Sequence, residues 1–364
     1  MTRRLRIATI IDLAPYKLGS MEDSIVALVE EAARRGHKMD IFTFPPMHPI
    51  VAGRIEAADS RWINVKTLLA HPLASARRLG RGYDVVVVNL FAPRSLMARI
   101  AYAAIPARVV FVDGFSAMPA QSDRTSRARR LLDRLTPIRM AGLIAVSDYV
   151  LRRDMARFHV APPFARRIYN GIDPQRFAPP PAGRPGPPTA LAVASLIPEK
   201  GIHVLIDAFA RIEVSEARLN IVGEGPERGR LEELARSRGL ESRISFLGLR
   251  DDVDALLLRA HVFVHPCIWE EAFGYTLAEA LATGCPVVAS RIGSTPELVT
   301  DGETGLLVPP RDVSALAVAV GSVLRDSLFR ERLGAKARRS ATEQFSLEGS
   351  TNSHLDCYEE VAGG

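Results

Sequence analysis

The stretch "HPCIWEEAFGYTLAEALATGCPVVAS", residues 265–290, alternates between apolar runs and glycine-marked turns, which predicts a strand, a helix and a second strand. The first strand ends near His265, the helix begins near Gly274 and ends before Gly284, and the next strand begins at Pro286. This order is typical of one unit of a parallel α/β sheet.

Two glutamates flank the turn into this helix, where the fold itself does not require a carboxylate. Gly274 would let the backbone approach a ligand closely, and the helix N-terminus beside it offers free N–H groups that suit a diphosphate. Glu279, just over one turn into the helix, could accept hydrogen bonds from the vicinal hydroxyls of a ribose. Glu271, on the loop before the helix, could reach sugar hydroxyls. The alternative is that both glutamates are solvated charges of the helix and its N-terminal end.

The rest of the chain repeats the strand–helix alternation in two halves. Continuous apolar runs predict strands that are buried on both faces of a parallel sheet. In the first half the predicted strands lie at residues 5–10, 38–44, 84–90, 108–112 and 142–147, with a helix at 21–37. In the second half they lie at residues 190–195, 218–223, 243–248, 261–266, 286–290 and 305–310, with helices after Gly201, from Glu227 and after Gly274.

A segment with seven prolines, "PQRFAPPPAGRPGPP" at residues 174–188, separates the two halves. This composition predicts a linker without regular structure. We therefore predict an N-terminal domain over residues 1–173 and a C-terminal domain over residues 189–346. Both read as doubly wound, Rossmann-like parallel sheets, which bind ligands outside the carboxyl ends of their strands. Two such domains facing each other would place a cleft between those ends.

The net charge of +6 is unevenly distributed: residues 1–178 carry 28 basic and 15 acidic residues, and the remainder carries a net charge of −7. This asymmetry indicates an anionic partner or surface for the first half, although only five of the 47 basic residues are lysines and an arginine-rich coding bias could contribute. Residues 122–140 could form a basic amphipathic helix on an anionic membrane or acceptor, or a solvated helix face. The arginines of this segment are Arg124, Arg127, Arg129, Arg130, Arg134 and Arg139.

The pattern of cysteines and histidines predicts a reduced, cytoplasmic protein without a metal site. Cys267, Cys285 and Cys357 show neither paired nor metal-ligand spacing. No Asp-x-Asp metal site and no nucleic-acid-binding module is recognisable. No apolar stretch approaches the roughly 20 residues that a membrane span needs, so any membrane contact would be peripheral, on the inner face. The histidines that we assign to structural roles for want of metal spacing are His48, His71, His159, His203 and His354.

The motifs of the second half resemble, in order and spacing, the retaining glycosyltransferases of family 4, which have the GT-B fold. The resemblance implies that Glu271 is the donor-sugar carboxylate and Glu279 the ribose carboxylate, and that Phe273, Gly274 and Tyr275 belong to the donor-binding site. The matching pieces are "YNGIDPQRF" (169–177), "PEKGIHVLIDAF" (198–209), "IVGEGPER" (221–228), "FLG" (246–248), "EAFGYTLAEALATGCPVVAS" (271–290) and "GSTPELVTDGETGLLV" (293–308).

Lys200 lies where a predicted strand gives way to a helix, so its charge could neutralise a departing nucleoside diphosphate. The resemblance places the family's phosphate-binding lysine here; the alternative is a surface lysine. Ser195 stands where the family usually has an arginine, so one diphosphate contact is missing or comes from elsewhere. Asp113 stands where many members have a histidine near the donor sugar, and it could bind a sugar hydroxyl or cap a turn. Gly19 and Ser20 stand where members often have a Gly-Gly turn, against donor phosphate or acceptor.

The resemblance implies a metal-independent, retaining hexosyltransferase with Lys200, Glu271 and Asp113 as candidate catalytic residues. Its co-substrate would be a nucleoside diphosphate sugar, with no other cofactor, and its acceptor a hydroxyl group of a lipid-linked molecule, a glycan or a natural product. Residues 347–364 would form a helix that packs back on the N-terminal domain. The alternatives are a GT-B phosphorylase or nucleotide-sugar epimerase, and a non-catalytic nucleotide-sugar-binding partner of a transferase.

Overall fold

The computed structural model divides the chain into two compact α/β units. The first comprises residues 1–171 and 347–364, and the second comprises residues 172–346. The residues that the structure describes are 3–16, 18–89, 97, 100, 101, 108–114, 140–158, 164–179 and 183–363.

The first unit is built on a parallel sheet that has seven strands among the described residues. The strands are β1 (Arg6–Ile11), β2 (Lys38–Thr43), β3 (Trp62–Asn64), β4 (Val85–Asn89), β5 (Val109–Asp113), β6 (Gly142–Ala145) and β7 (Phe164–Arg167). Their order across the sheet is β3-β2-β1-β4-β5-β6-β7. Its helices include α1 (Ser20–Arg34), α2 (Pro49–Ala57), α3 (Lys66–Ala70), α4 (Pro72–Gly82) and α5 (Asp148–Phe158). The apolar runs of β4 and β5 are buried, as a parallel sheet covered on both faces requires.

The second unit is built on a six-stranded parallel sheet formed within residues 183–346, all of which are described. The strands are β8 (Thr189–Val193), β9 (Arg218–Val222), β10 (Ile244–Gly248), β11 (Val262–His265), β12 (Val287–Ser290) and β13 (Gly305–Val308). Their order is β10-β9-β8-β11-β12-β13. The helices are α6 (Ile202–Phe209), α7 (Arg228–Ser237), α8 (Val253–Arg259), α9 (Tyr275–Ala282), α10 (Thr295–Leu298), α11 (Val313–Arg325) and α12 (Ser327–Gln344).

The last helix, α13 (Leu347–Gly363), belongs to the first unit, although the chain leaves that unit at residue 172. Its buried Tyr358 lies in the hydrophobic core that the first unit builds around β1 and α1. At the end of α1, Arg35 Nη1 donates hydrogen bonds to Asp356 Oδ1 at 2.6 Å and to Glu359 Oε1 at 3.1 Å. Core packing and ion pairs therefore both hold α13 against the first unit.

All the strands that the apolar runs predict are present, and the predicted fold class of two doubly wound parallel sheets is confirmed. Helices α2 to α5, α8 and α10 to α12 were not predicted, and neither were strands β3 and β7. The two strands are short, and β7 ends in two exposed arginines, so its sequence lacks a continuous apolar run. The described parts of the proline-rich segment, residues 174–179 and 183–188, contain no helix or strand.

Each sheet has one point at which the chain reverses its direction of travel across the strands. In the first unit this switch point lies between β1 and β4, and in the second unit between β8 and β11. The connections that leave two such strands run to opposite sides, which opens a crevice at their carboxyl ends where ligands of doubly wound sheets bind. We therefore expect a ligand site of the second unit at the loops after β8 and β11.

A close backbone contact joins these two loops. Gly201 has a φ of +67°, and a Cβ atom at this position would lie 2.0 Å from the carbonyl oxygen of Pro266. Beside it, the Ile268 N–H donates a hydrogen bond to the Glu199 carbonyl oxygen at 2.9 Å. A residue with a side chain could not occupy position 201 without separating the loops, so glycine is required there for both its conformation and its size.

We predict that Gly201→Ala lowers the free energy of unfolding by about 2–5 kcal/mol, because left-handed strain and overpacking add together. Gly239→Ala is the matched control: Gly239 has the same φ of +67° but no atom within 4 Å of the added Cβ. We expect Gly239→Ala to lower the free energy of unfolding by only about 1–2 kcal/mol, from left-handed strain alone. Urea denaturation measures both values, and equal losses would show that the contact with Pro266 does not constrain the loops.

Candidate functional site

Lys200 and Glu271 meet at the switch point of the second unit. Lys200 ends a short 3₁₀ turn that follows β8, and Glu271 lies on the loop between β11 and α9. The Lys200 Nζ atom donates to Glu271 Oε2 at 2.5 Å. The two side chains are 27% and 13% exposed, so the pair is largely shielded from solvent.

The pair consists of opposite charges at neutral pH. Burial by itself would lower the pKa of Lys200, but the charge and the hydrogen bond of Glu271, together with other negative groups nearby, outweigh burial and raise the pKa overall. Lys200 is therefore an ammonium ion in the neutral range. Because charges interact more strongly in a shielded site than in water, this cation is well placed to act on an anionic ligand.

Two further side chains, His265 and Cys267, lie against Glu271. His265 Nε2 is 3.2 Å from Cys267 Sγ and 3.6 Å from Glu271 Oε2, and Cys267 Sγ is 3.8 Å from the same carboxylate oxygen. Burial lowers the pKa of His265 to about 4 and raises the pKa of Cys267 to about 12. Both side chains are therefore neutral at pH 7, and Lys200 and Glu271 carry the charge of this group.

The sequence analysis missed this cluster. His265, Cys267 and Glu271 each offer one potential metal-ligand atom, and these atoms all lie within 4.8 Å of one another. The sequence spacing of Cys267 did not indicate a metal site, and the structure brings it close to two other potential ligands. In the sequence, the three residues form the pattern H-x-C-x₃-E at the end of a strand. This pattern could have indicated the cluster, but it is not one of the standard zinc spacings.

The predicted ribose carboxylate, Glu279, lies in α9 and is only 7% exposed. It is therefore not the solvated helix carboxylate of the alternative interpretation. Gly274 precedes the helix with a φ of +83°. The buried ring of Phe273 packs edge-to-face against Tyr275 and Phe345, with both centroid distances 5.7 Å. These contacts fix the entrance of α9 beside Glu271.

Ser195, which replaces the family's arginine, is exposed on the loop after β8. Its carbonyl oxygen accepts a hydrogen bond from the Ile197 N–H at 2.9 Å, inside the turn that leads to Lys200. A serine brings no charge to this loop. Lys200 therefore supplies its cationic side chain without the neighbouring arginine that the family usually has.

The other predicted residues, Gly19, Ser20 and Asp113, lie in the first unit. Gly19 precedes α1 in an extended conformation, and Ser20 is the buried first residue of that helix. Asp113 ends β5, is buried, and accepts a hydrogen bond from Arg153 Nη2 at 3.1 Å. Asp113 therefore lies at the carboxyl edge of its sheet and is engaged by an arginine.

Arg153 also bonds a second buried carboxyl group, Asp154, whose Oδ1 accepts from Arg153 Nε at 3.2 Å. Asp154 is fully buried, and its Oδ2 has no hydrogen-bond partner. Burial, together with the nearby charge of Asp113, raises the pKa of Asp154 to about 7. Sequence reasoning missed this acid because it looks like an ordinary charged residue of α5.

The arginine-rich segment predicted to contact an anionic surface comprises residues 122–140, of which residues 122–139 lie outside the described residues. Within the described part of the chain, no helix is both long and apolar enough to cross a membrane.

Two protein-family models match the chain in succession. Residues 21–176 match the model described as Glycosyltransferase Family 4, and residues 175–340 match the model described as Glycosyl transferases group 1. Together the two matches extend over both halves of the chain, and the second contains all of the candidate residues from Ser195 to Glu279.

Individual relatives agree with these matches. A GDP-mannose-dependent alpha-(1-6)-phosphatidylinositol monomannoside mannosyltransferase of Mycolicibacterium smegmatis is 28% identical over 363 residues, which cover 91% of this chain and 92% of that protein. Glycogen synthase of Mycobacterium tuberculosis is 40% identical over 187 residues, 50% of this chain and 45% of that protein. The chain spans about half the length of several of the curated relatives that it matches, glycogen synthase among them. The crystal structure of Anabaena HepE with UDP and glucose has a TM-score of 0.80 at 21% identity, covering 98% of this chain and 100% of that one, which shows the GT-B fold.

The raised pKa of Asp154 gives a stability prediction with a definite sign. An unfolded aspartate has a pKa of about 3.9, so between pH 4 and pH 7 the unfolded chain loses this proton while the folded chain keeps it. Stability from this group is therefore greatest below pH 4 and falls as pH rises to 7. Asp154→Asn removes the cost of ionising this buried carboxyl group at pH 8.

We expect Asp154→Asn to melt at a higher temperature than the wild type at pH 8 and to lose most of this advantage at pH 4. Thermal unfolding followed by circular dichroism at the two pH values measures the difference. A gap between the two proteins that does not change with pH would show that Asp154 is ionised in both folded and unfolded states.

Proposed function

Since the chain belongs to the family 4 glycosyltransferases, we propose that it transfers a sugar from a nucleoside diphosphate donor to a hydroxyl acceptor and retains the anomeric configuration. The observation that carries the proposal is the Lys200–Glu271 pair at the switch point of the second unit. It places a cation for phosphate and an acceptor for sugar hydroxyls side by side, at the edge where such sheets bind ligands.

The two members of the pair would exchange partners when the donor binds. The diphosphate would attract the Lys200 ammonium, which now lies 2.5 Å from Glu271. The released carboxylate would accept hydrogen bonds from hydroxyl groups of the donor sugar. This exchange leaves neither charge unpaired in the shielded site, so donor binding does not incur the cost of an isolated buried ion.

The start of α9 would provide the rest of the donor site. Its free N–H groups and positive dipole end suit a diphosphate, and Gly274 leaves room for a close approach. Glu279, one turn further along and mostly buried, would bind the ribose hydroxyls. Lys200 and the helix end would thus share the negative charge of the donor, and this proposed mechanism uses no metal ion.

In the proposed reaction the bond between the anomeric carbon and the diphosphate oxygen breaks, and a bond to the acceptor oxygen forms on the same face of the sugar. The acceptor proton passes to an oxygen of the departing diphosphate, so no nucleophile from the protein is required. Lys200 would stabilise the charge that develops on the leaving group. Asp113, a candidate from the first unit, would bind a sugar or acceptor hydroxyl.

A second candidate function is binding of a nucleotide sugar without catalysis, as the partner of an active transferase. Two observations favour it: Ser195 brings no charge to the loop before Lys200, and Asp113 is paired with Arg153. A binding partner would bind the donor but would release no nucleoside diphosphate in the presence of any acceptor. A GT-B phosphorylase would instead require inorganic phosphate, and an epimerase would convert the donor without an acceptor.

The acceptor is proposed to be lipid-linked or phosphate-bearing. Residues 1–178 carry a net charge of +13, which would attract an anionic membrane surface. Relatives named for phosphatidylinositol-based acceptors include the mannosyltransferase of Mycolicibacterium smegmatis and a phosphatidyl-myo-inositol mannosyltransferase of Mycobacterium leprae. The protein would then work from the aqueous side of a membrane without entering its core.

We predict that Lys200→Ala lowers kcat/KM for the donor by about 100- to 1,000-fold, the loss typical of one electrostatic contact to a developing charge. Lys336→Ala is the control, because Lys336 is an exposed lysine that forms an ion pair with Glu303. Steady-state kinetics with a saturating acceptor give the comparison. Wild-type turnover by Lys200→Ala would remove this residue from the mechanism.

Glu271→Gln should lower kcat more than it raises KM if its contact tightens as the sugar ring flattens in the transition state. Glu279→Gln should mainly raise KM for the donor, because a ribose contact is present in the ground and transition states alike. Glu270→Gln, next to Glu271 in the chain, is the control for loss of a carboxylate. Small and equal effects of all three substitutions would contradict both assignments.

We predict salt-sensitive binding of the full chain to anionic vesicles and little binding to neutral ones, because each basic residue near the surface contributes about 1 kcal/mol within a Debye length. Replacing Arg127, Arg129 and Arg130 together by Gln should abolish co-sedimentation without changing donor affinity. The control replaces three exposed arginines of α4 by Gln, and so removes the same amount of charge from another part of the chain. These residues are Arg77, Arg78 and Arg81. If neither protein nor variant sediments with anionic vesicles at low salt, the membrane proposal fails and the transferase proposal is unaffected.

A further inference from the structure

We propose that His265, Cys267 and Glu271 form a binding site for one Zn²⁺ ion at the candidate donor site, and that the bound ion blocks sugar transfer. The blocking effect rests on the proposed function. The binding site does not, because it follows from the positions of three side chains.

The three potential ligand atoms already form a triangle of the right size. Their separations are 3.2 Å for His265 Nε2 to Cys267 Sγ, 3.6 Å for His265 Nε2 to Glu271 Oε2, and 3.8 Å for Cys267 Sγ to Glu271 Oε2. Tetrahedral zinc, with bonds of about 2.0–2.3 Å, places its ligands about 3.3–3.6 Å apart. Shifts of a few tenths of an ångström would therefore complete three corners of a tetrahedron.

The chemistry of the ligands favours zinc over the harder ions. A thiolate, an imidazole and a carboxylate are the three ligand types that Zn²⁺ accepts, whereas Mg²⁺ and Ca²⁺ require a shell of oxygen atoms. Cys267 would become the thiolate by releasing its proton to solvent as the ion binds. His265 and Cys267 are buried, and Glu271 forms the more accessible corner at 13% exposed. An ion would enter past Glu271, and its fourth position would remain for a water molecule.

Lys200 is the natural competitor of such an ion. Its Nζ atom lies 2.5 Å from the Glu271 oxygen that would bind zinc. A divalent ion on that oxygen would repel the ammonium group, so Lys200 must move away before the site fills. Two consequences follow: loss of the Lys200 charge should strengthen zinc binding, and bound zinc should deny Glu271 to the donor sugar and displace Lys200 from its place beside it.

The binding test uses Co²⁺ as a spectroscopic substitute for zinc with the full chain, reduced and freed of metal by a chelator. We expect one equivalent of Co²⁺ to produce a thiolate-to-cobalt charge-transfer band, and Zn²⁺ to displace it. Cys267→Ser should abolish this band, whereas Cys285→Ser, which removes a buried cysteine outside the cluster, should keep it. His265→Asn should weaken Zn²⁺ binding more than about 100-fold, beyond the effect of an outer-shell partner.

Lys200→Met provides the test that a merely adventitious thiol site would fail. It should bind Zn²⁺ at least about tenfold more tightly than the wild type, because one competing charge is gone. Thermal unfolding without metal checks that each variant is folded. Equal Zn²⁺ affinity of the wild type and folded Cys267→Ser would overturn the proposed site, and unchanged affinity in Lys200→Met would overturn the competition.

Donor turnover, normalised for each protein to its own rate with chelator, tests the blocking effect. Zn²⁺ should inhibit the wild type and Cys285→Ser, and should leave Cys267→Ser unaffected at the same concentration. If Zn²⁺ binds through the cluster but turnover continues unchanged, the ion does not take Glu271 from the donor and this part of the proposal is wrong. If no protein shows turnover, the proposed function fails while the cobalt band still decides the metal site.

Discussion

The geometry of the candidate site depends on one backbone contact, the approach of Gly201 to the carbonyl group of Pro266. These residues are far apart in sequence, and they meet because β8 and β11 are neighbours at the switch point of their sheet. The hydrogen bond from Ile268 to Glu199 closes the same pair of loops. As a result, the side chains of Lys200 and Glu271 meet, because they follow two strands that are neighbours in the sheet. In the sequence these two strands are separated by β9 and β10. A side chain at position 201 would separate the two loops and so disturb the site, although residue 201 is not one of the functional residues.

The charges of the site follow from this packing. Lys200 and Glu271 sit beside the buried, neutral side chains of His265 and Cys267, and Glu271 is the strongest of the charges that raise the pKa of Lys200. In the free protein the two opposite charges neutralise each other. In the proposed function they separate when the donor binds, so that Lys200 binds the diphosphate and Glu271 binds sugar hydroxyl groups. The same proximity leaves Glu271 beside a thiol and an imidazole, which is why one carboxylate serves both the proposed donor site and the proposed zinc site.

The sequence predicted the sheets well and the site in part. Apolar runs such as that of β4 are recognisable because strands buried on both faces need no polar residues, whereas β3 and β7 are short edge strands with partly exposed residues. Lys200 and Glu271 could be named from a family pattern, but their contact could not be read from spacing, because it depends on which strands are neighbours. The cluster around Cys267 was missed for the same reason: the loop after β11 folds back to bring Glu271 to His265. Asp154 escaped notice because only burial distinguishes it from other helix carboxylates.

The most direct test of transfer at this site is the release of nucleoside diphosphate by the unmodified full chain. It would be measured for a panel of nucleotide sugars, each with and without hydroxyl acceptors that include phosphoinositide lipids and glycans. We predict that one donor is consumed faster when an acceptor is present, and that the new glycosidic bond, examined by proton NMR, has the anomeric configuration of the donor. A chain that binds a nucleotide sugar but releases no diphosphate with any acceptor would contradict the transferase account and support a binding partner instead.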